Sequence, residues 1–155
     1  MEQGKFLAIL RLLRGSNVDF VVVGGLAGVL HGAPLQTLDL DIVHSRDAAN
    51  VERLLTVLAS LDAVFRIQPE RHIRPNASYV SGPGHLNLIT RFGPLDVLGT
   101  IGRGLTYADL LADSVEMEIG EGMRARSGSG ELDCSERRTG YRKRSRHAGP
   151  AAADA

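Results

Sequence analysis

Asp39 and Asp41 sit inside one apolar run, TLDLDIV, and Asp96 is the sole acidic residue of another, GPLDVLG. Burying a carboxylate in such a run is unfavourable unless a cation or a hydrogen-bond donor meets it. On a strand, Asp39 and Asp41 project from one face, about 6.6 Å apart along the backbone. So placed, their charges repel unless a cation lies between them. The all-oxygen donor set suits one or two Mg2+ ions, which keep nucleotide phosphates as further ligands. If the strand of Asp96 neighbours theirs, three carboxylates converge as metal-assisted, in-line phosphoryl displacement requires.

Gly24 and Gly25 supply a matching feature. They follow the apolar run VDFVVV and precede LAGVLHG. A glycine turn between a strand and a helix start lets backbone N–H groups approach a phosphate without interference from a Cβ. Thr37, on the same strand face as the aspartates, adds a hydroxyl. Each feature alone has a plainer account: a turn, a solvated strand face, a residue closing a loop. Their order along one chain is what singles them out.

The elements that must position these residues follow from periodicity. Phe6, Ile9, Leu10, Leu12 and Leu13 recur at helical spacing and Gly15 stops the helix. Residues 18–23 form a short buried strand, 26–32 a short helix closed by Gly32 and Pro34, and 37–44 an alternating strand. Ser45 is placed to cap the helix carrying AANVERLLTVLASL, with Asp47 in its first turn. From 62 to 85, Pro69, Pro75, Gly82, Pro83 and Gly84 break the pattern into loops. HLNLIT and GPLDVLGTI then form two strands around RFGP, TYADLLAD a helix capped by Thr106, and SVEMEI a last strand. The expected fold class is α/β or α+β, a small mixed sheet flanked by helices.

The bulk numbers exclude several classes. The 155 residues carry no net charge, so no global field favours nucleic acid or membrane. The single cysteine, Cys134, makes no internal disulfide, and no Cys/His cluster has zinc spacing. Arg11 and Arg14 interrupt the apolar start, which reads as an amphipathic helix rather than a signal peptide, and no membrane span follows. The expected location is a reducing cytoplasm. Residues 1–124 are expected to fold as one domain. Residues 125–155, rich in arginine and poor in large apolar side chains, read as a basic, irregular, disordered tail.

Other candidates are weaker. His31, His44, His72 and His85 lack ligand spacing and read as surface or loop residues, although His44 closes the strand of the paired aspartates. Arg91 and Arg103 flank the strand pair around Asp96 and read as solvated charges. GGLAG lacks the Gly-x-Gly-x-x-Gly spacing of a dinucleotide site, and SGPGH lacks the lysine of a P-loop.

VVVGGLAGVLHG, TLDLDIV and GPLDVLG match, in order and spacing, a glycine turn, a paired-carboxylate strand and a later strand with a third carboxylate. That constellation resembles the nucleotidyltransferase fold, the polymerase-β-like superfamily, over roughly residues 5 to 124. More narrowly, the chain looks like small bacterial proteins related to AbiEii-type abortive-infection toxins and minimal nucleotidyltransferases. The resemblance implies that Asp39 and Asp41 bind Mg2+, that Asp96 assists the metal or activates the attacking hydroxyl, and that Gly24 and Gly25 hold a nucleoside triphosphate. The implied reaction transfers a nucleoside monophosphate to a hydroxyl of a protein, an RNA end or a small molecule. The alternative it carries is a non-catalytic protein that binds a cognate toxin or antitoxin. The chain departs from the pattern at Leu26 and Leu35, where many relatives place a serine and an arginine. It is also expected to depart after VEMEI, where the family continues with another strand and a helix. A one-base shift of reading frame from about residue 126 is compatible with that helix.

Overall fold

The computed structural model describes residues 2–24, 27, 39–120 and 123–128. Helix α1, Glu2–Gly15, buries Phe6, Ile9, Leu10 and Leu13, a stripe at i, i+3, i+4 and i+7. Each such side chain contributes roughly 1.5–3 kcal/mol on burial. Strand β1, Phe20–Val23, is buried on both faces, and so is β2, Leu40–His44. Helix α2, Ala48–Ser60, starts at Asp47, whose carboxylate accepts from Asn50 N at 2.8 Å. Asp47 therefore takes the cap expected of Ser45, because the helix begins two residues later than the sequence pattern suggested.

The stretch expected as loops, 62–85, contains strand β3, Val64–Phe65, a 3-10 turn, Pro69–Arg71, and helix α3, Ala77–Ser81. Asn76 caps α3 by accepting from Tyr79 N at 3.1 Å. These pieces span two to five residues, too short for periodicity to register. Strands β4, His85–Thr90, and β5, Gly93–Leu98, form a hairpin, and Gly93 takes a φ of 114° at its tip. Helix α4, Tyr107–Asp113, has a capping box: Thr106 and Asp109 bond each other's backbone N–H groups. Strands β6, Val115–Gly120, and β7, Met123–Ser127, close the order.

The strands form one seven-stranded mixed sheet in the order β3-β4-β5-β2-β1-β7-β6. Strand β1 pairs antiparallel with β2 and parallel with β7, while β2 pairs parallel with β5. Ordered strand thus runs to Ser127, three residues beyond the expected boundary at 124, because β7 gains a ladder on each side from β1 and β6. The tail after residue 128, with the frame-shift reading attached to it, lies outside the described residues.

Alternation along the strands separates two apolar clusters. Val22, Leu40, Ile42, Leu88, Leu95 and Val97 point to the face covered by α1 and α2. Val21, Val23, Val43 and Leu98 point to the other, where Ile101 and Leu110 join them. Asn50, fully buried, ties α2 to the sheet: its side chain accepts from Asp19 N at 2.7 Å and donates to Asp19 O and Ser45 O.

Candidate active site

Asp41 and Asp96 are register partners on the neighbouring parallel strands β2 and β5. Directly paired residues share a face, so the two carboxylates stand side by side on backbones about 4.8 Å apart. Both are buried, Asp41 completely and Asp96 to 6% exposure. The row continues in both directions across the sheet. Val23 on β1 pairs with Asp41, Asn87 on β4 pairs with Asp96, and Arg66 follows β3, donating its backbone N–H to Asn87 O at 2.8 Å.

Donors meet Asp96 from this row. Arg66 Nη2 lies 2.5 Å and Asn87 Nδ2 3.0 Å from the same oxygen, Oδ1. The guanidinium is anchored independently, since Nη2 and Nε also donate to Leu88 O at 3.1 and 3.4 Å. A charge-assisted contact of this kind is shorter and stronger than a neutral one, and a nearly buried carboxylate requires it.

Gly24 ends β1 behind Asp41. Its φ is 76°, a region that other residues enter only with strain. A Cβ there would fall into Asp41 Oδ2 and 3.0 Å from Asp41 Cγ. Gly24 is therefore required twice, for its backbone turn and for the space the carboxylate fills. Asp39 immediately precedes β2 and is half-buried. Among the described residues, no group of three or more His, Cys, Asp or Glu side chains is gathered to hold a metal ion. The oxygen pair of Asp41 and Asp96 fits a hard divalent cation. What the structure brings together is that pair, with Asp39 at the strand entrance.

Neither a family model nor a curated protein sequence matches the chain. Among solved structures it is similar to a "putative nucleotidyltransferase" from Thermotoga maritima, with a TM-score of 0.55 and 20% identity, over 99% of this chain and 93% of that one. The chain has a nucleotidyltransferase-like fold.

On this fold, the residues expected from sequence distribute unevenly. Asp41, Asp96 and Gly24 meet in one place, with Asp39 adjacent in sequence. Gly25 and Thr37, and the departures at Leu26 and Leu35, lie outside the described residues, as does His31. His44 is not the surface or loop residue expected. It is 1% exposed, and alternation turns it to the helix-covered face, where Nε2 lies 2.7 Å from Val80 O. Burial is the largest influence on its pKa and lowers it. The Val80 carbonyl opposes that shift, Arg46 adds to it, and the Leu98 carbonyl opposes it. His72 is exposed, and His85 Nε2 lies 2.8 Å from Thr100 O. Arg91 lies over the Phe92 ring, 5.0 Å from its centroid, and Arg103 is exposed.

Two residues of the row were missed from sequence. Arg66 sits in the stretch read as loop, and Asn87 is a polar residue in an alternating strand with an ordinary solvated reading. The available signal was positional: in a hairpin closed at RFGP, Asn87 falls opposite Asp96. No helix of the described residues is long and apolar enough to cross a membrane.

Proposed function

We propose that the protein is a Mg2+-dependent nucleotidyltransferase that moves a nucleoside monophosphate from a nucleoside triphosphate to a hydroxyl acceptor on a protein or an RNA. The observation that carries this reading is the in-register pairing of Asp41 with Asp96 on adjacent strands, with Gly24 making room for Asp41. In this reading Asp41 and Asp96 hold the cation, with Asp39 as a further ligand at the entrance of β2. When bound, Mg2+ would supply neutralisation of the charge that builds on the transferred phosphoryl group. Asp96 Oδ1 is fixed by Arg66 and Asn87, which orients the carboxylate toward the metal or the attacking hydroxyl. Gly24, with Gly25 and Thr37, would receive the triphosphate.

Incubating the protein with Mg2+ and α-labelled nucleoside triphosphates in a cell extract tests this. Label transferred to a protein or RNA by the wild type, and lost in Asp41→Asn and Asp96→Asn, is expected. Transfer that persists in both variants would refute the assignment.

A second reading, which the AbiEii-type resemblance implies, is a catalytically silent partner of a toxin–antitoxin pair. Under it, a cognate protein encoded by a neighbouring gene binds equally well to wild type and Asp41→Asn, without nucleotide uptake.

A further inference from the structure

We infer that Arg66 is a positioning residue that lowers the affinity of the Asp41–Asp96 pair for a divalent cation, so that the cation enters together with an anionic nucleotide rather than alone. The inference rests on the reading of this pair as a cation site. Arg66 Nη2 holds Asp96 Oδ1 at 2.5 Å, and Asn87 Nδ2 takes the same oxygen. Among the described residues no donor is assigned to Oδ2 of Asp96. The carboxylate that a cation needs is thus already half-committed to a fixed positive charge.

The sign of the effect follows from electrostatics. A guanidinium on one oxygen of Asp96 repels a cation approaching the other and withdraws charge from the shared carboxylate. The guanidinium is also tied to Leu88 O through Nη2 and Nε, so it does not depend on Asp96 alone for its place. Its side chain remains 35% exposed against 8% for Asp96. Arg66 therefore reaches from the buried carboxylate to solvent, where a polyphosphate can meet the guanidinium. Arginine suits that exchange because its planar fork matches carboxylate and phosphate alike. A triphosphate that takes up the guanidinium charge relieves the repulsion and admits the cation.

The effect is read by titrating Mn2+, which shares the preference of Mg2+ for oxygen ligands, and following free Mn2+ by electron paramagnetic resonance without nucleotide. Arg66→Gln is expected to bind Mn2+ about 10-fold more tightly than wild type, a figure reduced for the solvent screening of a partly exposed pair. Arg66→Lys, which keeps the charge, is expected within about 3-fold of wild type. Loss of a merely structural contact would loosen the site, so tightening is diagnostic. Arg66→Met carries the same expectation as Arg66→Gln and keeps the aliphatic stem should the glutamine variant fail to fold. Unchanged or weaker binding in the neutral variants, with wild-type binding abolished by Asp96→Asn, overturns the role of Arg66 while leaving the cation site standing. Absence of Mn2+ binding in wild type and neutral variants alike overturns both.

Discussion

The two faces of the central sheet are built from the same strands and are put to different uses. On the helix-covered side, Leu40 and Ile42 of β2 and Leu95 and Val97 of β5 pack beneath α1 and α2 in a cluster with no acidic member. One residue out of phase, Asp41 and Asp96 face the other way, beside the smaller cluster of Val21, Val23, Val43 and Leu98. On each strand one face therefore packs the core, and the other carries the acidic residue of the proposed cation site. Close packing of the first face holds the backbone register on which the second depends. A one-residue slip of β2 against β5 would bring Asp41 into the apolar layer.

Substitutions that separate the faces should have effects of different kinds. The largest loss of stability is expected for Leu54→Ala, at a fully buried position of α2: about 2–5 kcal/mol, measured by urea denaturation. The folded fraction should keep wild-type affinity for Mn2+. A loss of affinity there would mean that the faces are not separable. Gly24→Ala joins the two effects, because the new Cβ meets both an unfavourable φ and the Asp41 carboxylate. It is expected to cost about 2–4 kcal/mol and to abolish cation binding.

His44 tests the helix-covered face by pH. Its pKa is lowered from 6.5, so the unfolded chain takes up a proton that the folded chain resists. The stability from this group is full above pH 6.5 and declines as pH falls from there toward the lowered folded pKa. Denaturation midpoints measured at pH 7.5 and at successive steps below 6.5 should fall more steeply for wild type than for His44→Gln. Parallel profiles would contradict this account of His44. The smallest change in stability, within about 1 kcal/mol, is expected for Asp41→Asn, which keeps the shape of the side chain. Its cation binding should nevertheless vanish.

The long periodic segments were the legible part of the sequence. Helix α1 and helix α2 announced themselves through buried positions at helical spacing, and the paired strands around RFGP through alternation and a turn. Asp41 and Asp96 stood out for a physical reason: a charge in an apolar run needs a partner, whichever residue supplies it. The partners were harder to see. Arg66 reaches Asp96 from thirty positions away in the chain, through a two-residue strand whose pairing with β4 is fixed by the tertiary fold. Asn87 is an exposed residue of an alternating strand, and its register opposite Asp96 gives it a role. The Ser45 cap failed because Ser45 and Asp47 are both good capping residues and the choice depends on where β2 releases the chain. His44 was misjudged because its ligand spacing was weighed rather than its place in the alternation, which sets it with Leu40 and Ile42 on the helix-covered face.

The central claim is that Asp41 and Asp96 together form a divalent-cation site on the face away from α1 and α2. Crystals grown with Mn2+ and a non-hydrolysable nucleoside triphosphate, measured for anomalous scattering, test it most directly. The account predicts a manganese peak bridging the carboxylates of Asp41 and Asp96, with the triphosphate running toward Gly24. A structure with the nucleotide bound elsewhere, or with no peak between those two side chains, would contradict it.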